Sequence, residues 1–369
     1  MPQAGPGSTP TEGSTYVGID TLQEQTRLRA LRRGYSFNLM VIGRSGLGKS
    51  TLVNTLFKST TVSRRKVGNV DPLPTTTQVR HTSTALTEGG VHLDLTITDT
   101  PGFGDHVNNE NCWDPIVTYI EKQYERYLEE EQKVDRLLPI PDTRIHCCLY
   151  FISPTGHSLS SLDVEVLSRL DKITNVIPVI AKADTLTVEE RSAFKERIRA
   201  DLTDHGINIY PPTSPTTNTT TNTTTTTTNT SSTTTNDHNT TTTTTTSPKT
   251  TTTNINDLDS NTKIRERVPF GVVGSCVWHE VHGGRAVLGR RCSWGMVEVE
   301  NKNHNDFAYL RDMLIRTHMQ DLIDSTSERH YENFRRVRLA KTATATTTTT
   351  TTTKIMNGGQ NFDNGEKLK

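Results

Sequence analysis

A glycine-rich loop separates an apolar run from a helical pattern near the start of the chain. The apolar run covers residues 37–42, and the loop that follows reads Gly43-Arg44-Ser45-Gly46-Leu47-Gly48-Lys49-Ser50-Thr51. This GxxxxGK[ST] spacing lets backbone N–H groups turn inward around phosphate oxygens, and the helix that follows adds the positive end of its dipole. The predicted phosphate-binding residues are Gly43, Ser45, Gly46, Gly48, Lys49, Ser50 and Thr51. Lys49 is expected to neutralise β- and γ-phosphates, and the Ser50 hydroxyl to coordinate Mg²⁺.

Apolar runs alternate with helical patterns along much of the remaining chain. Strands are predicted at residues 37–42, 93–97, 146–152, 176–180 and 270–273. Apolar residues recur every three or four positions at residues 50–57, 114–131, 161–173 and 188–205. This alternation predicts an α/β fold, in which a mostly parallel sheet is flanked by helices on both faces. Ligands of such sheets bind at the carboxyl ends of the strands.

Two threonine-rich tracts dilute the apolar content of the chain. Only 31% of its residues are hydrophobic, and the tracts cover residues 213–253 and 346–353. Such segments cannot bury enough apolar surface to offset the loss of backbone entropy, so both are expected to be disordered. We predict one domain over residues 36–340, with a disordered insertion at about 213–260. Residues 1–15 and 341–369 are predicted to be disordered, and residues 16–35 to form a polybasic helix.

Charge and cysteine content exclude several classes of protein. The 41 Lys and Arg residues balance 41 Asp and Glu residues, so net charge supplies no attraction to nucleic acid, which is not expected as a partner. The five cysteines have no CxxC spacing, which argues against a disulfide framework and a zinc site. No signal peptide is evident, and no apolar run has the roughly 18 residues of a membrane-spanning helix. We therefore expect a soluble protein of a reducing compartment, the cytosol or the nucleus.

Two further motifs follow predicted strands and complement the phosphate loop. Asp99-Thr100-Pro101-Gly102 places a carboxylate where it can hold Mg²⁺, and the Gly102 N–H where it can meet a γ-phosphate. Ala181-Lys182-Ala183-Asp184 offers a carboxylate to the two donors of guanine, N1–H and the N2 amino group. Adenine lacks this donor pair and would leave Asp184 unpaired, which discriminates strongly between the bases.

The base site is completed by two further predictions. The aliphatic stem of Lys182 is expected to lie over the base plane. Gly274, after the apolar run at 270–273, is expected to bring backbone to the base. Four elements in this order, each at a strand end, predict that the chain binds GTP and GDP together with Mg²⁺.

Beyond these motifs, the chain resembles the septins, a family of filament-forming GTPases. Matching segments are Tyr16-Val17-Gly18, DTPGFGD at 99–105, NENCW at 109–113, YFI at 150–152, Gly156-His157-Ser158 and AKADTLT at 181–187. A further stretch runs from Trp294-Gly295 through VEVEN at 297–301 and His304 to YLRDMLIRTHM at 309–319. It is similar to the element that distinguishes septins from other P-loop GTPases. The chain is most similar to the septin group without a C-terminal coiled coil.

The resemblance implies a P-loop GTPase domain extended by a septin-specific C-terminal element. It implies that Arg290 packs on the guanine base, and that His157 and Glu190 reach toward the nucleotide of a neighbouring subunit. Trp294 and His304 would lie in that same interface, and the terminal helices would form a second interface on the opposite face. The implied partners are other septin subunits in homo- or hetero-oligomeric filaments. The implied setting is the cytoskeleton, as filaments or rings at the cell cortex and division site, acting in cytokinesis or as a membrane-associated scaffold and diffusion barrier.

Hydrolysis is predicted to involve Thr76, Lys49 and Gly102, with Ser50, Thr76 and Asp99 around the metal. Counting back from Asp99 places Thr76 on the threonine that contacts γ-phosphate and Mg²⁺ in hydrolysing family members, although its neighbours Thr75 and Gln78 depart from the family pattern. Phe103 stands where many signalling GTPases have a water-orienting glutamine, so turnover is predicted to be slow. The alternatives are a monomeric signalling GTPase, and a P-loop ATPase or kinase that would leave Asp184 without a purpose.

Arginines before the first strand predict contact with a membrane surface. Arg29, Arg32 and Arg33 share one helical face and, with Arg27, are expected to bind anionic phosphoinositide membranes. The alternative is an ordinary solvated or subunit-facing helix. A second cluster, Arg335, Arg336 and Arg338, would extend the patch if the terminal helices lie near each other. Arg44 adds a cation to the phosphate loop whose effect the sequence does not indicate.

Overall fold

The computed structural model describes residues 22–56, 79–104, 109–136, 140–212, 255–281 and 285–341. Its centre is a six-stranded sheet formed by β1 (Tyr35–Gly43), β2 (Arg80–Glu88), β3 (Val91–Asp99), β4 (Cys147–Ile152), β5 (Val176–Ile180) and β6 (Phe270–Gly271). The strand order is β2-β3-β1-β4-β5-β6. All neighbouring pairs in this sheet are parallel except β2 with β3. The predicted α/β fold with a mostly parallel sheet is confirmed.

Helices alternate with these strands along the chain. They are α1 (Leu22–Arg33), α2 (Lys49–Leu56), α3 (Asp114–Gln132), α4 (Ser161–Leu170), α5 (Val188–Asp204), α6 (Ile255–Arg267), α7 (Phe307–Asp312) and α8 (Met319–Ser325). Two π-helical segments, Met313–Thr317 and Thr326–Tyr331, continue the C-terminal helices, and residues 332–341 are again α-helical. Among the helices described here, none combines the length and the apolar character needed to cross a membrane.

Side chains of β1 alternate between two cores on opposite faces of the sheet. Phe37, Leu39 and Val41 join the core that contains α2, α7 and α8. Met40 and Ile42 join the core that contains α3, α4 and α5. Successive side chains of a strand point to opposite faces, so a strand that is apolar throughout must be covered on both sides. This double burial holds the end of β1, where the phosphate loop begins, in a rigid frame.

Between β6 and α7 in the sequence, the chain forms a smaller antiparallel sheet. It consists of β7 (Trp278–Val281), β8 (Arg285–Cys292) and β9 (Gly295–Glu298), in the order β7-β8-β9. Neither these strands nor β2 is among the strands predicted above. β2 is an edge strand that is exposed along most of its length, and β8 carries two adjacent buried apolar side chains, Val287 and Leu288. Neither strand therefore shows the clear apolar alternation from which a strand is predicted.

Several predicted boundaries differ from the structure. The helix predicted to end at residue 35 ends at Arg33, because Gly34 turns the chain with φ = +67° and Tyr35 already pairs with Leu93 in the sheet. Residues 255–260, predicted to belong to the disordered insertion, form the start of α6. β6 ends at Gly271 instead of residue 273. Lys341, the first residue of the predicted disordered tail at 341–369, is helical, and the rest of that tail lies outside the described residues, as do the predicted disordered segments at 1–15 and 213–253.

Candidate nucleotide site and neighbouring surfaces

The phosphate loop connects β1 to α2 as predicted. Lys49 is the first residue of α2 and is only 6% exposed. Its Nζ donates hydrogen bonds to the carbonyl oxygens of Gly43 and Arg44, each at 2.9 Å. The side chain thus folds back across the loop and holds a positive charge beside its backbone. That charge and the N-terminus of α2 suit the loop to bind phosphate.

The predicted metal ligands meet beside this loop. The Ser50 Oγ donates a hydrogen bond to Asp99 Oδ2, although the two residues are 49 positions apart in the sequence. The pairing of β3 with β1, in register at Val41 and Asp99, brings them together. A hydroxyl and a carboxylate are oxygen ligands of the kind that Mg²⁺ prefers, so this pair fits the predicted ion. Thr76, the third predicted ligand, lies outside the described residues.

Gly102 lies against the phosphate loop. A Cβ atom at Gly102 would lie 2.4 Å from both the N and the Cα of Ser45, so no larger residue fits there without movement of the loop. Phe103 forms an isolated parallel bridge with Arg44, which continues the contact. The segment after β3 is thus held close enough to the loop for its backbone to face the same phosphates. Contact of the Gly102 N–H with a γ-phosphate stays a prediction.

A cavity of about 210 Å³ lies beside the loop, where a base would be expected. It is bordered by α2, by the segments after β5 and β6, and by β8. Its lining residues are Leu47, Gly48, Thr51, Leu52, Phe151, Lys182, Val272, Val273, Gly274 and Arg290. Lys182 has φ = +47°, a conformation that non-glycine residues seldom adopt and that is often found at binding sites. Lys182, Gly274 and Arg290 therefore surround one cavity, as the sequence predicted.

Asp184 does not line this cavity itself but is contacted by Arg290, which does, and by Cys292, both of β8. Its side chain is 2% exposed, and Arg290 NH1 lies 3.1 Å from its Oδ2. The Cys292 thiol also donates to Oδ2, at 3.8 Å. Arg290, expected on the base, thus also contacts the carboxylate predicted to read the base. Cys292 was not among the predicted site residues, and only its spacing of two residues from Arg290 on one strand could have indicated it.

Comparison with known proteins identifies the family of this chain. The septin family model matches residues 33–348. The chain belongs to the septin family. It is 48% identical over 327 residues to Septin-12 from Bos taurus, covering 89% of this chain and 80% of that protein. It is also 48% identical over 325 residues to neuronal-specific septin-3 from Bos taurus, covering 88% of this chain and 81% of that protein.

Two further comparisons concern length and fold. Identity to Septin-9 from Homo sapiens is 48% over 326 residues, covering 88% of this chain but only 49% of that protein. A solved septin GTPase domain from Chlamydomonas reinhardtii is 24% identical, with a TM-score of 0.55, and the match covers 82% of this chain and 99% of that one. This likeness supports the P-loop GTPase fold. Septins are GTP-binding proteins, in agreement with the motifs on the four strand ends.

His157 and Trp294 occupy exposed positions on this septin. The loop that carries His157 follows β4 and is fixed to α5, where Arg197 donates to the Gly156 carbonyl and Asp201 Oδ2 accepts from the Leu159 N–H at 2.8 Å. Trp294 lies in the turn between β8 and β9 and is 68% exposed. An exposed tryptophan on a short turn is available for contact with another protein. Participation of both residues in a subunit interface stays a prediction.

Glu190 and His304 have partners within their own subunit. Thr187 and Glu190 form a capping box at the start of α5, and the Thr187 N–H donates to Glu190 Oε2 at 2.9 Å. This hydrogen bond lowers the pKa of the Glu190 carboxyl below its usual value. His304 Nδ1 accepts from the Glu298 N–H at 3.1 Å. Each residue therefore stabilises a local turn, and a role toward a neighbouring subunit stays a prediction.

The basic residues of α1 are exposed, and their contact with a membrane stays a prediction. Arg27, Arg29, Arg32 and Arg33 all lie at the surface, and Arg27 is 3.5 Å from Glu24. The second basic cluster behaves differently, because it pairs with acidic residues of α3. Arg335 lies 3.5 Å from Glu131, and Arg338 forms an ion pair with Glu125. These two arginines are thus partly neutralised on α3, which does not favour one continuous patch with α1.

Proposed function

We propose that this septin binds GTP and GDP with Mg²⁺, hydrolyses GTP slowly and assembles into filaments with nucleotide at one subunit interface. The observation that carries the nucleotide assignment is the Asp184 carboxylate, whose side chain is 2% exposed and pairs with Arg290 of the lining of the cavity of about 210 Å³. A buried carboxylate favours a ligand with two adjacent donors, and guanine offers them. Lys182, Gly274 and Arg290 border the same cavity, which supports binding of a planar base.

The residues around the phosphate loop account for slow hydrolysis in this proposal. Lys49 and the loop N–H groups stabilise the charge that develops on the phosphates, and the Gly102 N–H faces the terminal phosphate. Ser50 and Asp99 would hold Mg²⁺, which would supply further neutralisation of phosphate charge. Thr76 orders the attacking water. Phe103 is 6% exposed with its ring 6.3 Å from that of Tyr150, so its side chain packs in the core and orients no water.

Competition binding tests the nucleotide assignment. Unlabelled GTP and GDP are expected to displace a fluorescent GDP analogue from the purified septin, whereas ATP at the same concentration leaves it bound. Chromatography of nucleotide released from the purified protein is expected to show guanine nucleotides. Equal displacement by ATP and GTP would contradict the proposal and favour a P-loop ATPase or kinase.

Assembly distinguishes the proposal from a monomeric signalling GTPase. Two different faces on one chain, a nucleotide face with His157 and Trp294 and an opposite face with the terminal helices, permit open filaments instead of closed dimers. This arrangement supports a cytoskeletal role, in cytokinesis or as a membrane-associated scaffold and diffusion barrier. Sedimentation at low and high salt is expected to show large assemblies at low salt. A monomer under both conditions, with GTP bound, would favour the signalling alternative.

Membrane attachment through α1 is the third part of the proposal. Each basic residue near an anionic leaflet contributes about 1 kcal/mol, so four arginines give reversible, salt-sensitive binding that polymerisation strengthens by avidity. Replacing Arg29, Arg32 and Arg33 with Gln is expected to abolish most co-sedimentation with phosphoinositide vesicles. Replacing Arg335 and Arg338, which pair with α3, is the matched control and is expected to leave most binding intact. Binding that ignores both the lipid and the α1 substitutions would exclude this patch.

A further inference from the structure

The Arg44 side chain leaves the phosphate loop and contacts the first turn of α4. Its NH2 donates a hydrogen bond to Ser160 Oγ and lies 3.6 Å from Asp163 Oδ2. Ser160 caps α4, and its Oγ accepts from the Asp163 N–H at 3.2 Å. The extra cation noted in the sequence is therefore directed toward a helix start, where its charge is balanced by a carboxylate.

Asp163 is a buried carboxylate that is held in place by hydrogen bonds. The residue is 4% exposed, and its two oxygens accept hydrogen bonds from Tyr150 Oη at 2.8 Å and from Ser160 Oγ at 2.7 Å. Tyr150 is itself completely buried in β4. A buried carboxylate is costly without donors and a positive partner; Tyr150 and Ser160 supply the donors, and Arg44 supplies the positive charge at 3.6 Å. The ion-pair partner of Arg44 is thus held in α4 by a hydrogen bond from β4.

The backbone of Arg44 connects this anchor to the phosphate site. The Arg44 carbonyl oxygen accepts a hydrogen bond from Lys49 Nζ at 2.9 Å. The Arg44 backbone also forms a β-bridge with Phe103, in the segment that contains Gly102. One residue therefore joins α4, the phosphate-binding lysine and the segment after β3. Movement of Arg44 would shift the carbonyl that orients Lys49.

We propose that Arg44 is a positioning residue, whose pairing with Asp163 and Ser160 fastens the phosphate loop to α4 and thereby orients Lys49. The inference rests on the proposed function, because its consequence is measured as nucleotide affinity. Since the loop and Lys49 are expected to contact the β-phosphate that GDP and GTP share, loss of the anchor weakens both nucleotides. A direct contact of Arg44 with the γ-phosphate would instead weaken GTP alone.

A double-mutant cycle tests this anchor by calorimetric titration of GDP and of a non-hydrolysable GTP analogue. R44Q and D163N are each expected to lower both affinities about tenfold. The double variant is expected to lose little more affinity than either single variant, because the effects of substitutions at two contacting charged residues are not additive. R44K, which retains the charge, is expected to recover part of the loss. R316Q is the control, because Arg316 is 73% exposed and pairs on the surface with Asp312.

Four outcomes would overturn the inference. The first is a loss of GTP affinity without loss of GDP affinity, and the second is a loss of about a hundredfold in the double variant. The third is an R44K variant that binds nucleotide as weakly as R44Q. The fourth is a folded R44Q variant with unchanged nucleotide affinity and only a lower melting temperature. The last of these would mean that Arg44 only stabilises the fold. If D163N does not fold, the GDP to GTP comparison in R44Q and the R44K recovery still decide the question. Absence of guanine-nucleotide binding by the unmodified protein would instead contradict the proposed function.

Discussion

Replacing Asp184 with asparagine is expected to lower GDP affinity by at least about a hundredfold, because the site then faces the guanine N2 amino group with a donor instead of an acceptor. An asparagine amide offers one oxygen and one NH₂ group, so it satisfies only one of the two guanine donors. The substitution also removes the negative charge that lies 3.1 Å from the Arg290 guanidinium. Calorimetric titration of GDP into both proteins measures the loss.

The same variant is expected to gain affinity for xanthosine diphosphate. Xanthine carries a carbonyl oxygen at C2 in place of the amino group of guanine, and this oxygen accepts from the asparagine NH₂ while N1–H still donates to its oxygen. The gain separates altered recognition from misfolding, since an unfolded protein binds neither nucleotide. Asp204→Asn, at the exposed end of α5, is the matched control and is expected to leave both affinities unchanged. Full GDP affinity in D184N would show that Asp184 does not read the base.

Replacing Trp294 with alanine is expected to weaken subunit association about thirtyfold or more while leaving the monomer stable. A central aromatic anchor contributes at least about 2 kcal/mol to many interfaces. Within the subunit, Trp294 is 68% exposed, so its removal takes little buried surface from the fold. Sedimentation velocity over a range of concentrations measures association, and thermal unfolding measures the stability of the monomer.

The control for Trp294 is another exposed apolar side chain away from the nucleotide face. Val134 is 97% exposed beyond the end of α3, and Val134→Ala is expected to leave association across the nucleotide face unchanged. Identical assembly sizes for W294A and the unmodified protein would show that the turn between β8 and β9 lies outside the interface. A lower melting temperature with unchanged association would instead assign Trp294 to the fold.

The sequence alone determined five of the six strands of the central sheet and the motifs that follow them. β5 occupies the predicted residues 176–180, and β1 and α2 enclose the predicted loop. These elements carry continuous apolar runs or a motif of fixed spacing, and such signals are local. Because the carboxyl ends of parallel strands meet at one edge of the sheet, the order of the motifs was enough to predict that Asp99, Asp184 and the loop lie together.

Only the tertiary structure decided which distant side chains meet. Arg290 and Asp184 are 106 residues apart, and Arg44 and Ser160 are 116 residues apart. The sequence records that these residues are charged or polar, but their partners depend on which strands and helices pack together. The same reason explains why Arg335 and Arg338 pair with α3 instead of extending the basic face of α1. Periodicity and local spacing can be read along the chain, whereas charge pairing across the fold follows from packing.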